Sequence, residues 1–355
     1  MTALKTFEPN TLGRDIVLGD MHGKLGLVQK VLTHLNYDPQ VDRLFSVGDL
    51  VDRGEDNLGC LRLLRQGLNA VQSNHGEFMS HAYFGPNDST LAMNWPSNGG
   101  MWAIDQWVEW HDFLHTNKHM SQEAAELAEL AELQRELPVL ITINHRNGKK
   151  YHIVHAELPY LRMYEPITDR QLSDPAKVQF MSDRKYDRYN LERCFLWLRD
   201  MFGSFHEADM SNEAVFKRRV AGMAHHSHIN MREIFTDQLS HVISGHTPVH
   251  RPFTMVGQTN IDTGSYKEFK YKWAGVTALV LDDWTFWKAR SEGVEQVQPM
   301  TMTFEDFESY GQNNDVQVLP GTGGVHHGSP TTGDEGRPDP SLGTDVDCEP
   351  RTQEG

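Results

Sequence analysis

Five short apolar runs in this chain each break off into a cluster of Asp, His, Asn or Arg, and no other feature constrains the fold as tightly. Asp15-Ile16-Val17-Leu18 leads into Gly19-Asp20-Met21-His22-Gly23, and Leu44-Phe45-Ser46-Val47 into Gly48-Asp49-Leu50-Val51-Asp52-Arg53-Gly54. Ala70-Val71-Gln72 leads into Ser73-Asn74-His75-Gly76-Glu77, Tyr151-His152-Ile153-Val154 into His155-Ala156-Glu157, and His241-Val242-Ile243-Ser244 into Gly245-His246-Thr247-Pro248. Short apolar runs bounded by turn residues read as buried strands. Open α/β sheets place their ligands beyond strand C-termini. Between the first two runs Leu25, Val28, Leu32 and Leu35 recur at helical spacing, and Asp38-Pro39 ends that helix. The unit is βαβ, so a right-handed crossover and a parallel pair are expected. Leu58, Leu61, Leu64 and Leu68 form the next helix face, and the fold class is α/β with mixed sheets.

One His at a strand end is as readily structural as functional, but five such ends are a poor way to fill a core. Buried Asp and His cost several kcal/mol unless partnered, and a pair of metal ions is the economical partner. The donors are oxygen and nitrogen without thiolate, which suits Mn²⁺, Fe²⁺ or Zn²⁺ better than a structural zinc site or a calcium cage. Two ions about 3.5–4 Å apart need a bridging carboxylate. Asp49, central in the order, is the natural bridge. Asp20 and His22 then hold one ion, and Asn74, His155 and His246 the other.

The remaining chain is read more plainly. Trp95, Trp102, Trp107 and Trp110 suggest a small helical subdomain with aromatic packing. Residues 121–136 form a strong helix, rich in Ala, Glu and Leu, that is expected to pack on its own domain. Val139 to Ile143 and Tyr151 to Val154 form a hairpin, with Asn147-Gly148 as a type I′ turn signal. Residues 158–240 are polar and helical in character. Val276 to Leu281 and Trp284 to Lys288 form a last hairpin, and Phe304-Glu305-Asp306-Phe307 a short helix. A domain is expected over residues 1–290, followed by an extension over 291–355 in which apolar periodicity is lost and disorder begins near 321. The acidic tail reads as a solvated terminus, His225-His226-Ser227-His228 as a solvated helix or loop, and Cys60 as a buried small side chain.

Composition narrows the function. The 355 residues carry a formal net charge of −16 and no long basic run, so nucleic acid is not an expected partner. Three scattered cysteines give neither a zinc pair nor a disulfide framework. No apolar leader and no bilayer-length run is present. A soluble, cytoplasmic protein without a membrane partner is expected.

In this order the five motifs resemble those of the calcineurin-like metallophosphoesterases, within them the phosphoprotein phosphatases, and most of all the bacteriophage lambda type of serine/threonine phosphatase. The likeness runs from about Asp15 to Leu281. It includes Asn98-Gly99-Gly100 with Trp102, Glu136-Leu137-Pro138 and Ile261-Asp262-Thr263-Gly264. The resemblance implies a four-layer αββα sandwich with helical insertions, from a phage or a bacterium. It makes Asp20, His22, Asp49, Asn74, His155 and His246 the protein ligands of a dinuclear centre, with Mn²⁺ the expected metal. It makes His75 the general acid, Asp52 the carboxylate that orients it, and Arg53 a phosphate-gripping arginine. A second such arginine follows a Trp-x-Arg pattern, which Trp197-Leu198-Arg199 fits; Arg184 is the runner-up. The implied reaction is in-line attack on a phosphomonoester by a hydroxide bridging the two metals, with no phosphoenzyme. Metals and guanidiniums neutralise phosphate charge, Arg is better shaped for this than Lys, and a serine alkoxide leaves only when protonated.

The sequence departs from the pattern in three places. Ser73 and Gly76 replace Gly and Glu of a Gly-Asn-His-Glu motif, with Glu77 one place later. Glu157 stands where Asp is usual, and the segment before His246 is longer than in the phage enzyme. Three functions fit these motifs: a phosphatase acting on phosphorylated protein or small phosphate esters; a dinucleoside polyphosphate hydrolase, such as a diadenosine tetraphosphate hydrolase; and an inert phosphate-binding scaffold. The last would be marked by loss of Asp49, Asn74 or His75, and all three are present.

Overall fold

The computed structural model describes residues 3–86, 89–116, 119–163, 165–183, 193–199 and 212–314. Arg184 and the segment from 321 onward lie outside the described residues. In chain order the strands are β1 (Leu4–Phe7), β2 (Asp15–Leu18), β3 (Arg43–Ser46), β4 (Asn69–Ala70), β5 (Leu140–Asn144), β6 (Lys150–Ile153), β7 (His241–Ser244), β8 (Phe253–Met255), β9 (Gln258–Asn260), β10 (Val276–Val280), β11 (Thr285–Arg290), β12 (Gly293–Val297) and β13 (Met300–Met302). They form a sheet of order β12-β11-β10-β2-β3-β4 and another of order β1-β5-β6-β7-β9-β8-β13. β2, β3 and β4 run parallel, with Leu18 opposite Ser46 and Ser46 opposite Ala70. Asp20, Asp49 and Asn74 therefore leave the first sheet along one edge. In the second sheet β6 and β7 are parallel, with Ile153 opposite Ile243, so His155 and His246 leave it together as well.

Alternation along the strands sorts the side chains into layers. Val17, Phe45 and Val47 of the first sheet meet Ile141, Ile143, Ile153 and Ile243 of the second in one apolar cluster. Ile16, Leu18 and Leu44, on the other face of the first sheet, pack on helices α1 (Leu25–His34), α2 (Asn57–Arg62), α3 (Asn74–Phe84), α4 (Thr90–Asn94), α5 (Ile104–Thr116) and α6 (Gln122–Arg135). The outer face of the second sheet, with Leu140, Val242 and Phe253, packs on helices Pro175–Ser182 and Glu213–His226. Three apolar interfaces thus separate four layers, αββα, as the resemblance implied. Each fully buried Leu, Ile or Phe contributes about 1.5–3 kcal/mol, so the inter-sheet cluster fixes the two strand-end edges against each other.

Several local readings change. Only Gly148 of the Asn147-Gly148 pair has a positive φ, at 81°, so the turn is not type I′, which needs both central residues there. Asn147 Oδ1 accepts instead from Lys149 N at 2.9 Å. β12 pairs with β11 and β13 with β8, so both sheets gain a strand beyond Arg290, where the sequence shows little periodicity. The short helix at Phe304 runs on to Asn314, and Tyr310 packs over Gly222. Cys60 is fully buried, and burial pushes its thiol pKa up. His225 and His226 end helix Glu213–His226 and are exposed. No helix among the described residues is long and apolar enough to cross a membrane.

The stretch before β7 is tied down by Asp169. Its carboxylate faces His152 Nε2 at 3.0 Å and Lys150 Nζ at 3.1 Å, and accepts from Ser240 N and Oγ at 2.7 Å each. Burial works against the charge, but the bonds from His152 and Ser240 outweigh it and hold the pKa well below the usual range. A depressed folded pKa gives stability that is present above the unfolded value and is lost as pH falls through the folded one. Asp169→Asn is therefore expected to cost about 1–2 kcal/mol at pH 7. That difference should shrink steadily below about pH 4, as read by urea unfolding of both proteins. A difference independent of pH would refute the charge argument.

Candidate metal centre

The structure draws the strand ends into one buried cluster around Asp49. Asp49 Oδ2 lies 3.5 Å from His22 Nε2, Asp49 Oδ1 lies 3.5 Å from His155 Nε2, and Oδ1 also accepts from His75 N at 3.3 Å. His155 Nε2 is 2.7 Å from Asn74 Oδ1, and His246 Nδ1 is 3.2 Å from both. Asp20 Oδ2 accepts from His246 N at 3.0 Å. Two triads, His22–Asp49–His75 and Asp49–His155–His246, each bring three donor atoms within 4.8 Å of one another, and Asp49 belongs to both. His75 stands in the first triad where the sequence reading put Asp20.

Holding these side chains requires unusual backbone. Nine described non-glycine residues have positive φ, and five of them are His22, Asp49, Asp52, Arg53 and His246. Each costs on the order of 1–2 kcal/mol relative to ordinary backbone. Such strain collects where a function requires it. Gly48, at φ 109°, allows the turn that aims Asp49: a Cβ there would lie 2.7 Å from Ser73 Cβ and 2.9 Å from His155 Nδ1. Gly99, at φ 110°, lets the loop carrying Trp102 close on Asp52 and Arg53, where a Cβ would meet Arg53 Cγ at 2.9 Å.

The cluster's protons do not balance without a cation. His155 Nδ1 donates to Val47 O at 2.8 Å, which leaves Nε2 as a lone pair facing Asn74 Oδ1 and Asp49 Oδ1. His22 Nδ1 donates to Val51 O at 3.0 Å, so its Nε2 lone pair faces Asp49 Oδ2 in the same way. Adding protons is disfavoured, because burial lowers the pKa of His22, His155 and His246. Burial opposes the Asp49 charge too, and what lowers its pKa is positive charge on the surrounding imidazoles, so with those rings neutral a cation must take their place. Asp20 Oδ1 and Asp262 Oδ2 are buried without hydrogen-bond partners. Burial and the neighbouring carboxylates push Asp262 up to about 6, and raise Asp20 well above its usual range. Neutral imidazoles and crowded carboxylates with unused lone pairs are the donor set of divalent cations.

Beside the cluster, His75 Nδ1 and Asp52 Oδ2 are 2.6 Å apart. Asp52 is fully buried and carries further bonds. Trp102 Nε1 donates to Oδ1 at 2.8 Å, and Trp95 Nε1 reaches Oδ1 and Oδ2 at 3.2 and 3.1 Å. These indoles, expected from the sequence to serve packing, are hydrogen-bond donors to Asp52. A buried Trp needs an acceptor for its N–H, and here both find it in Asp52. Arg53 is exposed and lies over the ring of Tyr266 at 4.5 Å, and that ring also meets His22 edge-on at 4.9 Å. Arg199 Nε donates to His246 Nε2 at 3.0 Å, so Arg199 joins the site from the other side.

A sequence model of the family described as calcineurin-like phosphoesterase matches residues 14–250. The chain belongs to that family. It is 36% identical over 144 residues to serine/threonine-protein phosphatase 1 of Salmonella typhimurium, and 38% identical over 144 residues to serine/threonine-protein phosphatase 2 of Escherichia coli. In both cases the match covers 40% of this chain and 58% of the relative, so the chain spans somewhat over half the length of the phosphatases it matches. A shorter stretch of 49 residues is 47% identical to a symmetrical bis(5'-nucleosyl)-tetraphosphatase of Glaesserella parasuis, covering 14% of this chain and 18% of that protein.

The third motif of this calcineurin-like phosphoesterase is built from Ser73 to Glu77. Ser73 caps α3, its Oγ accepting from Gly76 N at 3.2 Å, so the residue in place of Gly satisfies a helix N-terminus that presents Asn74 and His75. A Cβ at Gly76 would lie 2.2 Å from Gln134 Nε2, so α6 fills the space a longer side chain would occupy. Glu77 is buried and bonded to Arg193 and Trp197, at 2.8 and 2.7 Å.

Proposed function

We propose that this phosphoesterase is a phosphatase of the serine/threonine type, hydrolysing phosphomonoesters on proteins or small molecules in the cytoplasm. One observation carries the reading: a centre of two triads sharing Asp49 sits beside a His75–Asp52 pair. Asp20, His22, Asp49, Asn74, His155 and His246 would hold two divalent ions, Mn²⁺ first, with Fe²⁺ or Zn²⁺ as alternatives. Those ions supply charge neutralisation and a water acidic enough to react at neutral pH. Asp52, fixed by two indoles, accepts a hydrogen bond from His75 Nδ1–H and favours the imidazolium, whose Nε2–H is the proton given to the leaving alkoxide. Arg53 binds phosphate from the exposed side. Arg199 does so from the other. Its present bond to His246 Nε2 places the ring proton of a neutral His246 on Nδ1. When Nδ1 serves as a ligand, that proton moves to Nε2, and the guanidinium is left for a phosphate oxygen.

The similarity to the tetraphosphatase supports a second reading, cleavage of a dinucleoside polyphosphate, because a stretch of 49 residues is 47% identical to it. Phosphate release with Mn²⁺ separates the two when a phosphoserine peptide is compared with diadenosine tetraphosphate. The expected result is turnover of the peptide, abolished by chelator and restored by added metal. Turnover of the dinucleotide alone would move the assignment to nucleotide hydrolysis.

A further inference from the structure

Arg199 lies two residues beyond the short helix Cys194–Trp197. Helix Cys194–Trp197 is four residues long, and a single turn in isolation is unstable. Its apolar side is anchored, since Cys194, Phe195, Leu196 and Leu198 are fully buried and Phe195 O accepts from Ala156 N at 2.9 Å. That contact fixes depth but not the angular setting of a long side chain two residues past the helix, beyond the extended Leu198. A phosphate-binding guanidinium needs that setting, and its bond to His246 ends when His246 Nδ1 serves as a ligand.

The angular restraint comes from α3. Glu77 Oε1 accepts from Arg193 Nε at 2.8 Å, and Oε2 accepts from Trp197 Nε1 at 2.7 Å, so one carboxylate spans both ends of the short helix. Arg193 Nη2 also donates to Gln72 Oε1 at 2.6 Å, and Phe78 meets the Trp197 ring edge-on at 5.2 Å. Glu77 lies three residues after Asn74 and two after His75 on the same helical turn. We propose that Glu77 is a positioning residue: through Arg193 and Trp197 it sets Arg199 at the metal centre, in register with Asn74 and His75. The inference rests on the phosphatase reading and deepens it. It also gives a use to the displaced acid of the third motif. Position 76 must stay small beside Gln134, and the carboxylate one place later reaches Arg193 and Trp197.

The test titrates inorganic phosphate calorimetrically into the full-length, Mn²⁺-loaded protein, with metal content and p-nitrophenyl phosphate turnover measured alongside. Glu77→Ala is expected to weaken phosphate binding by roughly tenfold or more, as Arg199→Ala does, with metal content unchanged. Glu77→Gln should lie between, because its amide oxygen still accepts from Trp197. Trp197→Phe keeps the ring and removes one donor, so it gives a folded protein with a smaller loss even if Glu77→Ala does not fold. The decisive readout is the double variant. If Glu77 acts through Arg199, Glu77→Ala adds nothing in the Arg199→Ala background. Full additivity, or wild-type affinity in both Glu77→Gln and Trp197→Phe, overturns the inference and leaves the phosphatase reading standing. Absence of p-nitrophenyl phosphate turnover in the wild type overturns that reading, and the inference with it.

Discussion

Asp49→Asn is expected to abolish the protein's response to divalent metal. Asp49 is the one residue in both triads, with one oxygen toward His22 and the other toward His155. Asn preserves shape and can still accept from His75 N, so the change removes charge and bridging while leaving the packing. Metal that binds only the folded state stabilises it by about 2.7 kcal/mol at a hundredfold excess over its dissociation constant. For a domain of this size that is a rise of several degrees in melting temperature. Wild type should show the rise and Asp49→Asn should not, while the two metal-free proteins melt within a few degrees of each other. Phosphoester turnover should fall by at least about 10²–10³-fold. Metal affinity, titrated calorimetrically for both proteins, is read without catalysis. If Asp49→Asn still binds two ions with wild-type affinity, Asp49 is not the bridge, and the centre must be rebuilt around the unpartnered oxygens of Asp20 and Asp262.

The frame of this centre was legible because strands announce themselves by composition and length. Val17, Phe45, Ile153 and Ile243 sit between the sheets as their alternation requires, and the polar residues that end each run land at two adjoining edges. What the sequence hid depends on contacts between distant residues. Trp95 and Trp102 follow Asp52 by 43 and 50 positions, and nothing in their local pattern separates a packing indole from one that donates to a buried carboxylate. Glu77 looked like a misplaced motif residue until Arg193 and Trp197, 116 and 120 positions away, were found on it. β12 and β13 were missed for a different reason. Their inward positions are few, and an edge strand such as β12 gains its stability from its neighbour's backbone more than from its own side chains. Asp262 was visible as part of a motif, but only its burial beside Asp20 and Asp49 shows that it adds to the carboxylates the centre must neutralise.

His75→Asn should divide the substrates by their leaving groups. An alkyl phosphate such as phosphoserine expels a strongly basic alkoxide, and a positioned acid contributes about 10²–10⁴-fold to that step. The p-nitrophenolate of p-nitrophenyl phosphate leaves without a proton. The loss on phosphoserine peptide should therefore approach the whole acid contribution, while the loss on the aryl ester is much smaller. Asp52→Asn should follow the same order with a smaller penalty, because His75 would keep its place and lose the carboxylate that fixes its tautomer. Trp102→Phe should be milder still, since Trp95 remains on Asp52. Metal content is the control with the most to say. His75 belongs to the triad with His22 and Asp49, yet its Nδ1 is committed to Asp52. If His75→Asn keeps both metals and spares the aryl ester, His75 handles the proton and Asp20 completes the first metal site. If it loses a metal and both substrates suffer equally, His75 is a ligand, and the acid must be sought among the remaining groups facing the leaving oxygen.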